Sequence, residues 1–359
     1  QLFLSFSMIL RDLKINDNGY IFLISSFHIR EINPKLVISN SLRVGFWSLL
    51  KTLSFTLSKK NISVVNIAPG PFNTKRLKKG IIEPLDPTVK DLKGLHVWHG
   101  ELSSCAQRVR ITLDEKALAW EGHLIDIPKN EHATPEYQAI NPKGLVPAFV
   151  DDGTLVIESC DIIDYIDENF PEPSLRPSDP NMEPEMMGWL DQADKAQADL
   201  KLLSHEFLFR PRKPMTKTEI ENFEMHHNNK ALVDFIREWQ GNDIFPKTKL
   251  DAAVTRTDTD FQSLDAALAH RHWLLGDQFT LADIAWMPNI HRMMLMEWPL
   301  GRYKNLNRWF GQIKERPSYQ SALVDWEPEG LRNRFSSYVT KRNRETGIHV
   351  TAFGALAET

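Results

Sequence analysis

From Leu95 onward the apolar positions first form short strand-like runs and then recur every three to four residues, so the pattern itself divides this part of the chain in two. Leu95-His96-Val97-Trp98 predicts a strand that leads through Gly100 to Ser103-Ser104. A helix is expected from about Cys105 to Leu118, with Ala106, Val109 and Leu113 on one face. Leu124-Ile125-Asp126-Ile127 reads as a second strand. Val146 to Val150 and Thr154 to Ile157 flank Asp151-Asp152-Gly153, a hairpin whose turn needs glycine at positive φ. Glu158-Ser159 then opens a helix with Ile162, Ile163 and Ile166 facing inward, ended by Pro171. Strand, helix, strand, hairpin and helix make a small mixed sheet with helices beside it, an α/β domain over 94–172.

Past Pro184 the strand pattern stops. Met187–Leu203, Glu219–Trp239, Leu250–His270, Leu281–Met296 and Leu306–Glu315 all carry helical spacing, which predicts an all-α domain over 180–330. Thr280-Leu281-Ala282-Asp283 marks the clearest helix start, a capping-box pattern worth about 0.5–2 kcal/mol. Residues 331–359 are polar with little periodicity and read as a loose tail. Residues 1–78 alternate strand and helix patterns: Ile21 to Ile24, then Leu42 to Leu57, then Ile62 to Ile67 closed by Pro69-Gly70. This is α/β material amounting to about half a domain, and 79–93 reads as a linker. The apolar Leu2–Leu10 lacks the basic flank and cleavage site of a signal peptide, so an internal helix is expected there. Opening on Gln1 in place of Met, the chain is expected to be a piece of something longer.

A length of 359 residues suits two or three domains, and 42% hydrophobic with 25% charged residues is a soluble composition. No run approaches the roughly 20 apolar residues of a membrane span, so no membrane partner is expected. A net charge of −4 with interspersed bases gives no footprint for nucleic acid. Two cysteines, Cys105 and Cys160, build no disulfide framework, which favours a reducing, cytoplasmic setting. His226-His227, His270 with His272, and His291 have no zinc-like spacing with Cys or Glu, so no metal is expected.

The chemistry gathers in the α/β domain. Ser103 stands where the first strand passes into its helix, a place where backbone amides and the helix dipole favour an anion. A thiol bound there ionises more readily than at its ordinary value near ~8.5, and a serine hydroxyl donating to the sulfur completes the device. Val146-Pro147 offers an exposed backbone amide and carbonyl to a peptide-like ligand, with the proline in the cis form. Glu158 and Ser159 at the next helix start suit an amino-acid head group, the carboxylate taking its ammonium and the hydroxyl its carboxylate.

These stretches resemble the glutathione transferase family. Ser103-Ser104-Cys105-Ala106-Gln107-Arg108-Val109-Arg110-Ile111 is similar to the serine signature of the zeta class, Asn141-Pro142-Lys143-Gly144-Leu145-Val146-Pro147 to the segment carrying the family's cis-proline, and Glu158-Ser159 to its γ-glutamyl site. GDQFTLADIAW resembles its C-terminal signature. The resemblance implies a thioredoxin-like domain followed by a helical domain, glutathione as substrate, a homodimer, and a thiolate that attacks a small apolar electrophile. Conjugation, ether or halide displacement, and isomerisation stay open. It assigns thiol activation to Ser103, with Ser104 and Cys105 as alternatives, the cysteinyl contact to Val146, and the γ-glutamyl anchors to Glu158 and Ser159. His132 falls where several classes contact the glycine carboxylate, but Ala133 replaces the lysine that often follows. Trp286, Met287, Met293, Met294, Met296 and Trp298 are either a second-substrate wall or, more simply, core.

Gly19–Ser26, Leu36–Lys60 and Asn61–Pro71 resemble the second half of a short-chain dehydrogenase/reductase, a partial Rossmann-like segment. Counted from Ser26, its Tyr and Lys fall at Ser39 and Arg43, so the proton donor and the lysine that tunes it are missing, as is the Gly-rich dinucleotide turn. A remnant fused to the transferase, a fragment and a faulty gene join all fit. Two other functions compete: a non-catalytic interaction module that keeps the fold, and an NAD(P)-dependent oxidoreductase with a degenerate site.

Overall fold

Two units make up the chain, Gln1–Lys79 and Gly80–Thr359; the computed structural model describes residues 20–24, 51, 54, 58–60, 63–67, 80–211 and 214–357. In the first unit β1 (Tyr20–Ile24) and β2 (Ser63–Ile67) pair in parallel, Tyr20 opposite Ser63 and Ile24 opposite Ile67. Parallel neighbours require a crossover, and Lys51 and Ser54 within it are helical. The rest of the helix expected over Leu42–Leu57, the Leu2–Leu10 stretch, and Ser26, Ser39 and Arg43 lie outside the described residues.

The second unit begins with a five-stranded sheet in the order β3-β7-β6-β4-β5, formed by β3 (Ile81–Ile82), β4 (Leu95–His99), β5 (Glu121–Leu124), β6 (Ala148–Asp151) and β7 (Thr154–Ile157). β4 runs parallel to β5 and antiparallel to β6. Alternation along the strands sends Val97, Phe149 and Val156 to one face, against Val109 and Leu113 of α1 (Ser104–Glu115) and Ile162, Ile163 and Ile166 of α3 (Ser159–Asn169). Trp98, Val150 and Leu155 go to the other, against Tyr137 of α2 (Pro135–Ile140) and Val89.

Two expectations for this domain need correction. The linker placed over 79–93 is structured from Gly80: Ile81 and Ile82 extend the sheet opposite Val156 and Leu155, and Val89 is buried. Gly153 shows how closely this segment lies, since a Cβ there would meet the Lys90 carbonyl at 2.4 Å. The second strand is Glu121–Leu124, ahead of the more apolar 124–127. Asp126 instead caps a 3₁₀ turn at Ile127–Lys129, accepting from the Lys129 amide at 3.0 Å.

The helical part comprises α4 (Glu183–Phe207), α5 (Lys217–His226), α6 (Lys230–Gly241), α7 (Lys247–Ala267), α8 (Leu281–Leu295), α9 (Lys304–Lys314), α10 (Pro317–Ala322), α11 (Leu331–Thr346) and α12 (Gly354–Ala357). α8 is buried on nearly every face and packs against both α4 and α1, so the helical core is continuous with one side of the sheet. Among the described residues no helix is long and apolar enough to cross a membrane. The single helix expected over Glu219–Trp239 is two. Asn229 caps the second, its side chain accepting from the Leu232 amide at 3.2 Å, and the break lets Asn228 donate to Gln138 of α2 at 3.0 Å.

The tail is a fourth correction. Leu331, Val339, Val350, Phe353 and Leu356 are buried, Arg342 of α11 donates to the buried Glu206, and the Gly354 amide donates to Asp251 at 2.9 Å. Apolar anchors spaced this widely leave no periodic signature, yet each reaches the core.

At the start of α8, Asp283 accepts from the amides of Thr280 (2.9 Å) and Leu274 (3.0 Å) and from Trp309 Nε1 (2.8 Å). The capping box is formed and also tied to α9. Asp283→Ala would strand three buried donors and should cost about 3 kcal/mol in chemical denaturation; a loss below about 1 kcal/mol would show that the cap carries little.

Candidate functional site

β4 ends at His99, and the chain turns through Gly100 so that the Ser103 amide donates to the Gly100 carbonyl at 3.2 Å. Ser103 is the N-cap of α1 with extended backbone, and its Oγ accepts from the Ala106 amide at 3.2 Å. A serine that accepts through a lone pair keeps its hydroxyl hydrogen to donate elsewhere. Ser103 is partly exposed, whereas Ser104 is buried and its Oγ accepts from Gln197 Nε2 of α4 at 2.7 Å. Burial pushes the Cys105 thiol above its ordinary value although Arg108 pulls the other way, and it pushes Cys160 up to about 12. Thiols so raised stay protonated at neutral pH and make poor nucleophiles. Of the three expected candidates, Ser103 and Cys105 are both partly exposed, and Ser103 can donate to a ligand without itself ionising.

Cations surround this corner. Arg292 of α8 is buried, and its guanidinium donates to the carbonyl of Leu102, the residue before Ser103. Burial lowers it to about 10, so it is charged at neutral pH. Lys201 of α4 lies with its ammonium 4.4 Å from the Phe235 ring and is lowered by burial; both cations feel the Cys105 thiol. Asp194 and Glu158 act on that thiol with the opposite sign.

Glu158 and Ser159 start α3 beside this corner, but the two side chains differ. Glu158 holds a left-handed φ of 69°, a conformation costing a non-glycine residue about 1–3 kcal/mol. Its carboxylate remains accessible and pairs with Lys143 Nζ at 2.5 Å, a half-exposed pair of low net worth. Ser159 is buried, and its Oγ accepts from Arg108 at 3.1 Å. The hydroxyl expected to take a ligand carboxylate therefore faces inward.

The Val146–Pro147 peptide is cis, with Pro147 buried and Val146 partly exposed. Tyr137 and Asn141 both donate to the Leu145 carbonyl at 2.6 Å, which fixes the approach. Among the described residues, the Val146 amide and carbonyl join no backbone hydrogen bond, which leaves both for a ligand. His132 is placed differently from expectation: it is buried, with Phe223 at 5.9 Å and His227 at 5.8 Å between ring centroids. Gly144 lets this happen, because a Cβ there would lie 2.5 Å from His227 Nε2. The Met and Trp cluster of α8 and the turn after it is core, with Met294 only partly buried.

Sequence reasoning missed Arg108, Gln197, Lys201 and Arg292. Arg108 is fully buried and donates to the Ala285 carbonyl (2.9 Å), Ser159 (3.1 Å), the Ala193 carbonyl (3.0 Å) and Asn289 (3.1 Å). A partial signal existed: in the mostly apolar α8 a basic residue such as Arg292 is expected to be buried for a reason, whereas Arg108 sits in a helix that carries further polar residues.

Comparison with known proteins agrees with this geometry. Family models for the glutathione S-transferase N-terminal domain and C-terminal domain match residues 98–174 and 247–312. Glutathione S-transferase Z1 of Arabidopsis thaliana is 30% identical over 229 residues, spanning 63% of this chain and 90% of the relative. Protein LigF of Sphingobium sp. is 28% identical over 233 residues, spanning 62% and 90%. The crystal structure of β-etherase LigF from Sphingobium sp. superposes with a TM-score of 0.58 at 24% identity, covering 64% of this chain and 99% of that one, which bears on the fold. A thioredoxin-like domain, a helical domain and a relative matched over nine-tenths of its length lead to one statement: this chain belongs to the glutathione S-transferase family.

Proposed function

We propose that the Gly80–Thr359 unit is a glutathione-dependent transferase in which the glutathione sulfur rests at Ser103. The observation that carries this is the state of Ser103 itself, partly exposed at a helix start, with its lone pair on the Ala106 amide and its hydrogen left to donate. The Val146 amide and carbonyl would pair with the cysteinyl backbone in β-fashion. The Lys143–Glu158 pair matches a zwitterion, with Glu158 taking the γ-glutamyl ammonium and Lys143 its carboxylate. Because that pair is weak while empty, exchanging it for a ligand costs little.

Arg292 and the helix start lower the cost of a negative sulfur, and Ser103 donates to it. The thiolate then attacks a small electrophile: a carbon–sulfur bond forms, and in displacement a carbon–oxygen or carbon–halogen bond breaks with the leaving group taking the electron pair. Isomerisation uses the same thiolate by addition and later elimination. Similarity to a β-etherase makes an aryl ether the first electrophile to try, beside a halonitroarene. The homodimer and cytoplasmic setting expected from sequence belong to this proposal.

Ser103→Ala should lower turnover about 10–100-fold while glutathione affinity changes little, read from steady-state rates and calorimetry. Full activity in that variant would remove Ser103 from the chemistry. Glu158→Ala should do the reverse, weakening glutathione binding by about tenfold or more with near-normal turnover at saturation. Arg292→Met should raise the bound thiol's pKa by about one unit, moving the acid limb of kcat/KM to higher pH with recovery above it, and Arg292→Lys should restore it. Thiolate absorbance against pH reads this directly. A non-catalytic module would bind glutathione and show no thiolate near neutrality in the unmutated protein, and NADPH binding would revive the oxidoreductase reading.

A further inference from the structure

On the face of the sheet carrying Trp98, strands β4 and β5 bring His96 to Glu121 and His123, which are distant from it in the sequence. His96 stands opposite Glu121 in the parallel register, and His123 lies two residues farther along, opposite Trp98. His96 Nδ1 is 3.1 Å from His123 Nε2 and 3.6 Å from one Glu121 oxygen, and His123 Nε2 is 3.8 Å from the other. A tetrahedral zinc with bonds of about 2.0–2.1 Å needs its ligands about 3.3–3.4 Å apart. The imidazole–imidazole distance is a little shorter than that length and the two glutamate distances, to different carboxylate oxygens, are a little longer, so side-chain rotations bring three ligand atoms toward one ion.

We propose that His96, Glu121 and His123 form a divalent transition-metal site of the zinc class, clasping the edge strand β5 to β4.

The surroundings prepare it. His96 Nε2 is 3.0 Å from the Lys93 carbonyl, which only accepts, so that nitrogen carries the hydrogen and Nδ1 presents its lone pair to the ion. Trp98 stacks on the His123 ring at 4.3 Å and 17°, fixing its plane. With the His96 lone pair on Nδ1, the His123 Nε2 hydrogen points at it. Binding moves that proton to His123 Nδ1 through solvent, so both imidazoles ligate in neutral form and no net proton is lost. Glu121 is largely exposed and His123 partly so, which leaves an entry path and an open fourth position for water. Two imidazoles with one carboxylate suit zinc, nickel or copper over magnesium or calcium. The expectation of no metal came from spacings along the chain, and this cluster is made by strand register.

The test is calorimetric titration of zinc chloride into the chelator-treated full chain, without glutathione, alongside His123→Ala and Glu121→Gln. Both substitutions are at accessible positions and should fold. One zinc per chain with micromolar or tighter affinity is expected, and His123→Ala, which removes a ligand, should weaken it by at least about 100-fold. Zinc at about 100 times its dissociation constant should raise the unfolding temperature of the unmutated chain by about 5 °C and leave His123→Ala unmoved. Cobalt should give a visible tetrahedral spectrum that His123→Ala abolishes. The sequence holds 12 histidines, so equal zinc binding by the unmutated chain and His123→Ala would place the ion elsewhere and overturn the site. No uptake up to about 100 μM zinc would overturn it as well.

Discussion

A guanidinium with no acid partner among the described residues ties together the Gly80–Thr359 unit. Arg108 donates to α3 through Ser159, to α4 through the Ala193 carbonyl, and to α8 through the Ala285 carbonyl and Asn289. Three carbonyl or amide oxygens and a hydroxyl satisfy a cation whose isolated burial would cost many kcal/mol. Each is fixed by a helix backbone or by packing, so their convergence sets how the thioredoxin-like part meets the helical part. Losing any one of these helices would leave the charge buried and under-coordinated, which is why the two parts behave as one unit.

The site proposed for the chemistry lies at the same seam. Ser103 is supplied by the β4–α1 turn, but the cation fixed behind it, Arg292, comes from α8, and Gln197, which holds Ser104 inward, comes from α4. Neither part forms the corner separately. Burial makes Cys105 and Cys160 harder to ionise, while Ser103 stays partly open with its donor unspent. The proposed reaction therefore uses a thiol brought from outside, in a place where burial keeps the chain's own thiols protonated.

Much of this was legible in the sequence where one short segment determined the outcome. Strand β4, the turn at Asp152-Gly153, the cap at Thr280 and Asp283, and the placement of Ser103 and Glu158 each rest on local chemistry that the residues state directly. What was missed depends on distant partners. Ile81-Ile82 looked like linker because its partner Val156 lies 75 positions away in sequence, and α11 looked loose because its anchors Leu331 and Val339 are sparse while its charge, Arg342, seeks a buried Glu206. Ser159 and His132 were expected at the ligand because their motif positions are right, yet Arg108 turns one inward and Phe223 with His227 covers the other. Residues 1–78 offered a pattern without the tyrosine and lysine that would give it a role, and its two described strands pair in parallel.

Glu158 carries a further implication through its left-handed backbone. Glycine would sit there without strain, gain stability, and remove the carboxylate that faces Lys143. Selection for heat tolerance and selection for ligand capture thus pull this position in opposite directions. On the reading proposed above, a library sorted only for survival on heating would drift toward a sturdier protein that no longer grips glutathione.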